Sequence, residues 1–175
     1  MLTTIEGRVW LFGDDIDTDL IVKGEYLNVP MEEIKQHVFE TLRPEFAEAV
    51  KPGDVVVAGK HLGCGSSREV APGSLKALGV SAVVAESYGR IFYRNAVAMG
   101  LPVVSGAGVG RLCKDGDWIR IDFGNHRMTN MITGKSIDFQ PLPEDMLSIL
   151  EIGGIEPLLR RMAETRKVEQ KKTEN

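Results

Sequence analysis

Cysteine is nearly absent, Cys64 and Cys113 being the two in a chain of 175 residues. Two thiols do not supply an all-cysteine zinc site or iron–sulfur cluster, and a disulfide between them is unusual in a reducing compartment. Also missing is any apolar run near the roughly 20 residues that cross a bilayer. The opening residues, Met1-Leu2-Thr3-Thr4-Ile5-Glu6, show no basic segment followed by an apolar one, which predicts no secretory leader and a cytoplasmic location. Charge of one sign is not in large excess. A formal net charge of -4 argues against a nucleic-acid or acidic-membrane surface. There is no Gly-Lys-Ser/Thr ending of a phosphate loop, no third glycine of a dinucleotide fingerprint and no Gly-x-Ser-x-Gly elbow. The three histidines, His37, His61 and His126, stand in no evident triad context. Neither a repeat nor a linker divides the chain. Its 43% hydrophobic content predicts one domain over 1–164, and the charged stretch 165–175 reads as a frayed end.

What is present follows an α/β pattern. Ile5 to Phe12 reads as a first strand, closed by Gly13-Asp14-Asp15. Asp14, Asp15, Asp17 and Asp19 resemble part of a calcium loop, but the Gly and distal Glu of that pattern are misplaced, and a turn with solvated carboxylates competes with it. Pro30 is expected to start a short helix with Met31, Ile34 and Val38 inward, and Pro44 to Val50 another helical turn or two. From Val55 the pattern becomes βαβ. Val55–Ala58 is a buried strand, Ala71–Leu78 a helix, Ser81–Ala85 a strand, Arg90–Met99 a helix and Leu101–Val104 a strand, which implies a parallel sheet with crossovers. Trp118 to Phe139 alternates around two turns and reads as an antiparallel meander packing with the first strand. Pro143–Leu150 and Ile155–Met162 are expected closing helices.

The stretch Gly63-Cys64-Gly65-Ser66-Ser67-Arg68-Glu69 connects a strand to a helix. Such a turn presents backbone N–H groups and the positive helix end, and with two hydroxyls and a guanidinium it suits an anion. Three readings stand side by side. Ser66-x-x-Glu69 has the spacing of a capping box. Phosphate binding lacks its usual glycines and lysine. A reactive serine without histidine needs its alkoxide stabilised by backbone N–H groups and an adjacent guanidinium. Cys64 lacks thiolate partners and reads as a small loop residue. Arg90, Arg94 and Asn95 share one predicted helix, as a solvated face or a contact with another subunit.

Gly63-Cys64-Gly65-Ser66-Ser67-Arg68-Glu69, Ala85-Glu86-Ser87-Tyr88-Gly89-Arg90-Ile91-Phe92-Tyr93-Arg94-Asn95-Ala96 and Gly100-Leu101-Pro102 together resemble a family of small subunits and swivel domains. That family holds the small subunits of 3-isopropylmalate dehydratase and homoaconitase and the swivelling domain of aconitase. Gly13-Asp14-Asp15-Ile16-Asp17-Thr18-Asp19 and Tyr26-Leu27-Asn28-Val29 match it too, so the resemblance reaches to about Met162. It implies a swivelling β/β/α domain and a hydro-lyase activity shared with a large subunit. It implies that Ser66 is the catalytic base and that Ser67, Arg68 and Asp19 bind substrate. The loop Tyr26, Leu27, Asn28 and Val29 would sort substrates by their γ-substituent. A 4Fe-4S cluster is expected on the large subunit and no cofactor or metal on this chain. The substrate is expected to be a small di- or tricarboxylate. Asn28-Val29 lacks an arginine for an added carboxylate, which favours 2-isopropylmalate over the homoaconitase acid; a methyl-substituted malate fits almost as well. A free-standing carboxylate-binding module is the non-enzymatic alternative. Val70 stands where many members carry histidine.

Overall fold

β-Branched and small apolar residues build the centre of the sheet. The computed structural model describes residues 2–66 and 68–173, with side chains described as far as Arg166. β2 (Val55–Val57) and β3 (Ala82–Ala85) are buried at every position, as expected of parallel strands covered on both faces. β1 (Thr4–Leu11) pairs in parallel with β2, β2 with β3, and β3 with β4 (Val103–Ser105). On its other edge β1 turns antiparallel. It pairs with β5 (Trp118–Asp122), which continues through β6 (Arg127–Asn130) to β7 (Ser136–Asp138). The result is one seven-stranded mixed sheet, β4-β3-β2-β1-β5-β6-β7, with β1 shared by its parallel and antiparallel halves. β5 alternates exposed and buried residues, the mark of a strand with one solvated face.

The expected crossover helices are present. α4 (Val70–Ala77) links β2 to β3, and α5 (Arg90–Ala98) links β3 to β4. The long β1-to-β2 connection carries α1 (Thr18–Ile21), α2 (Met31–Ile34) and α3 (Phe46–Ala49), with 3-10 turns at Gly24–Tyr26 and Lys35–His37. α6 (Val109–Leu112) follows β4. α7 (Glu144–Ile152) and α8 (Ile155–Thr173) close the chain, and the backbone of α8 runs on into the charged stretch read above as an end.

Three rings pin the β1-to-β2 connection to the core. Phe39 lies 4.2 Å from Phe12 and 5.0 Å, edge-on, from Phe46. Phe39 is fully buried yet has φ 56°, a left-handed conformation that bulky residues rarely adopt. Burial of its ring holds the chain in that turn and sends the next residue, Glu40, out towards the loop at Lys23–Val29. Asp54 ties the start of β2 to β1, accepting hydrogen bonds from Trp10 Nε1 (2.8 Å) and Arg8 Nη2 (3.2 Å).

Candidate active site

The loops that follow β1, β2 and β3 gather at one end of the sheet, the carboxyl end of its parallel strands, where α/β folds place their ligands. They are laced by backbone bonds. Gly63 N–H donates to Ile16 O (2.7 Å), Thr18 N–H to Cys64 O (3.0 Å) and Gly89 N–H to Leu62 O (2.8 Å). Gly63 is required here. Its φ is +76°, and a Cβ would lie 2.3 Å from the Phe92 ring.

Ser66 stands exposed on this scaffold. Thr18 Oγ1 donates to its carbonyl (3.1 Å), and Gly65 before it has φ +111°. Among the described residues neither Gly65 nor Ser66 has a backbone acceptor for its own N–H. The capping box expected of Ser66 and Glu69 is not formed. Glu69 is itself the N-cap of α4, in helical backbone, and makes no side-chain cap bond. The bonds to Thr18 hold Ser66 in the loop, three residues short of that cap, so its hydroxyl is not spent on the helix start. Ser67 lies outside the described residues.

Arg68 is the fixed charge of the site, its side chain only 14% exposed. Nη1 donates to Asp19 Oδ1 and to Val22 O (3.2 Å), while Nε and Nη2 have no partner among the described residues. Half of the guanidinium fork is thus held and half remains to meet a carboxylate. α1 makes this possible. Asp17 caps it by accepting from Leu20 N–H (2.9 Å), and the helix projects Asp19 at Arg68. Asp19 is thus the counter-ion of Arg68. α1, Thr18-Asp19-Leu20-Ile21, is a single turn and too short to show a helical period in the sequence.

The four aspartates do not converge as a calcium loop would. Asp14 accepts from Lys60 N–H (2.7 Å), Asp15 from the His61 ring (2.7 Å), Asp17 caps α1 and Asp19 pairs with Arg68. No three His, Cys, Asp or Glu side chains among the described residues could hold a metal, and burial pushes the Cys113 thiol up to about 11. These residues do not fit an iron–sulfur cluster.

Tyr26, Leu27, Asn28 and Val29 form a neighbouring loop. Gly24, at its start, faces Arg68 so closely that a Cβ would lie 3.4 Å from Nη2. Leu27 and Asn28 are exposed and Tyr26 and Val29 half-buried. Lys23, the one cation of the stretch, is engaged by Glu40 at 2.6 Å. That carboxylate, 14 residues from Tyr26, also accepts from Tyr26 Oη (3.3 Å). No local pattern in the sequence marks Glu40. A cavity of about 820 Å³ opens at the same end of the sheet, lined by Tyr88, Arg90, Tyr93 and Arg94 among others, but Ser66 and Arg68 do not line it.

Known proteins resemble the chain in sequence and fold. Residues 14–105 match the aconitase C-terminal domain. The chain is 49% identical to 3-isopropylmalate dehydratase small subunit 1 of Methanopyrus kandleri over 92% of its length and 95% of the relative's. It is 50% identical to the methanogen homoaconitase small subunit of Methanothermobacter thermautotrophicus, over 86% of the chain and 88% of the relative. The crystal structure of 3-isopropylmalate dehydratase (LeuD) from Methanocaldococcus jannaschii superimposes with a TM-score of 0.87 at 38% identity, covering 97% of this chain and 99% of that one. Fold and identity over most of the chain agree: the chain belongs to the family of 3-isopropylmalate dehydratase small subunits, hydro-lyase subunits built on the aconitase C-terminal domain.

Proposed function

We propose that this chain is the small subunit of a two-subunit hydro-lyase that converts 2-isopropylmalate to 3-isopropylmalate by dehydration and rehydration, a step of leucine biosynthesis in the cytoplasm. The observation that carries this reading is the exposed Ser66 on a loop tied to Ile16 and Thr18, with a neighbouring guanidinium only half engaged. Moving a hydroxyl between adjacent carbons requires a base for the carbon-bound proton and an acid for the leaving oxygen. Ser66 Oγ takes the proton from the carbon next to a carboxylate. The N–H groups at Gly65 and Ser66 and the Arg68 charge stabilise its alkoxide. Nε and Nη2 of Arg68 hold a substrate carboxylate, Asp19 keeps the guanidinium aimed, and Ser67 adds a hydroxyl donor to the same carboxylate. Polarising the leaving hydroxyl calls for a Lewis acid, and no three His, Cys, Asp or Glu side chains among the described residues could hold a metal for it. That task belongs to a large subunit, expected to carry a 4Fe-4S cluster.

The loop at Tyr26–Val29 favours the alkyl substrate. Leu27 and Val29 offer apolar surface, and Lys23, paired with Glu40, is not free to meet an added carboxylate. Mixing this chain with its large subunit is expected to give turnover of 2-isopropylmalate that neither polypeptide gives alone. Turnover by the isolated chain, or exclusive use of the homoaconitase acid by the pair, contradicts the proposal.

A further inference from the structure

The loop Lys23–Val29 has little of its own to hold its shape. Its internal backbone bonds lengthen along the loop, from 3.1 Å between Tyr26 N–H and Lys23 O to 3.3 Å from Leu27 to Gly24 and 3.5 Å from Val29 to Tyr26. Tyr26 and Val29 pack against the core, and the polar tie to the body is one carboxylate. Glu40 takes Lys23 Nζ at 2.6 Å, Tyr26 Oη at 3.3 Å and His37 Nδ1 at 2.7 Å, and the Tyr26 ring stacks on His37 at 3.9 Å and 8°. Glu40 is itself immobilised by the buried left-handed Phe39, whose N–H donates to Ile21 O at 2.9 Å. The Lys23 and His37 bonds hold its carboxyl below the usual range, so it is ionised in place.

We infer that Glu40 is a positioning residue for substrate choice, acting through Lys23 and Tyr26. This rests on the function proposed above. Two effects follow from the same contact. Anchoring Tyr26 fixes the surface that Leu27 and Val29 present. Anchoring Lys23 fixes Gly24 against Arg68 and withholds the loop's one positive charge from the substrate. An added carboxylate on the substrate arm then finds no cation to offset its desolvation, whereas an isopropyl group needs none.

The inference is specific because releasing Lys23 should do more than damage the site. Glu40→Gln keeps an acceptor for Tyr26 but gives up the charge that holds Lys23. In complexes with the large subunit, this variant is expected to lose kcat/KM for 2-isopropylmalate mainly through KM. Relative to it, kcat/KM for a malate bearing a carboxylated arm should rise roughly tenfold. Adding Lys23→Gln to Glu40→Gln should abolish that gain, and Glu40→Asp should keep the original preference. Melting curves and co-purification confirm that each variant folds and assembles. An unchanged preference in an active Glu40→Gln complex, or a gain that survives Lys23→Gln, overturns the inference alone. A wild-type complex inert towards both acids overturns the proposed function and this inference together.

Discussion

The guanidinium of Arg68 shows how a single residue divides between structure and chemistry. Nη1 is committed to Asp19 and the Val22 carbonyl, while the remaining edge of the fork has no partner among the described residues. Lysine would keep the charge but lacks the planar fork that can hold Asp19 on one edge and a carboxylate on the other. Arg68→Lys is therefore expected to raise KM in the assembled enzyme by about tenfold or more, with a smaller change in kcat. Steady-state kinetics with the substrate varied reads both; unchanged values would take Arg68 out of the carboxylate site. The serine and arginine were conspicuous in the sequence because they interrupt a Gly-rich turn. The same stretch also read as a capping box, and only the bonds from Thr18 to Cys64 and Ser66 show why that box does not form. Asp19, 49 residues from Arg68, reached the candidate list through resemblance, whereas its pairing is a tertiary fact.

Among the elements, the strands and crossover helices were the legible part. Val55-Val56-Val57 and Ala82-Val83-Val84-Ala85 could be buried only between layers, and the alternation of β5 to β7 declared a sheet with one wet face. Short elements were legible only behind a proline: Pro30 and Pro44 announced α2 and α3, whereas nothing announced α1 and α6. α1 and α6 have four residues each, one turn, too little for a 3.6-residue period to show. Phe39 likewise gives no local sign of its left-handed backbone, which its burial against Phe12 and Phe46 sustains. The glycines at the carboxyl end of the sheet lie between these cases. They were visible as a turn, but the need for Gly63 comes from the Phe92 ring of α5. Gly63→Ala faces both that ring and an unfavourable φ, and is expected to cost about 2–4 kcal/mol of stability. Chemical denaturation of the isolated chain measures this; a loss within error of zero would mean that the loop does not rest on α5 as described.

At the scale of the molecule, the shared strand β1 joins a parallel half that carries the site to an antiparallel half that closes the domain. Charge pairs fasten the loops of the first half, and one of them makes stability depend on pH at both ends of the range. The hydrogen bond from Lys23 lowers the Glu40 carboxyl below its ordinary 4.5, so its contribution is present above that pH and is lost as pH falls through the lowered value. The same bond raises Lys23 above 10.5, so its contribution is complete below that pH and disappears as pH rises through the raised value. The difference in melting temperature between wild type and Glu40→Gln should therefore shrink as pH falls below 4.5 and again as it rises above 10.5. A difference that grows on acidification below 4.5 would have the wrong sign for this pair. The central claim is that this chain lends the base to a reaction it does not complete alone. Single-turnover kinetics of the two-subunit complex with Ser66→Ala tests it most directly. The account predicts an intact complex that binds substrate but reacts about a thousandfold more slowly; a complex that assembles and reacts at the wild-type rate would contradict it.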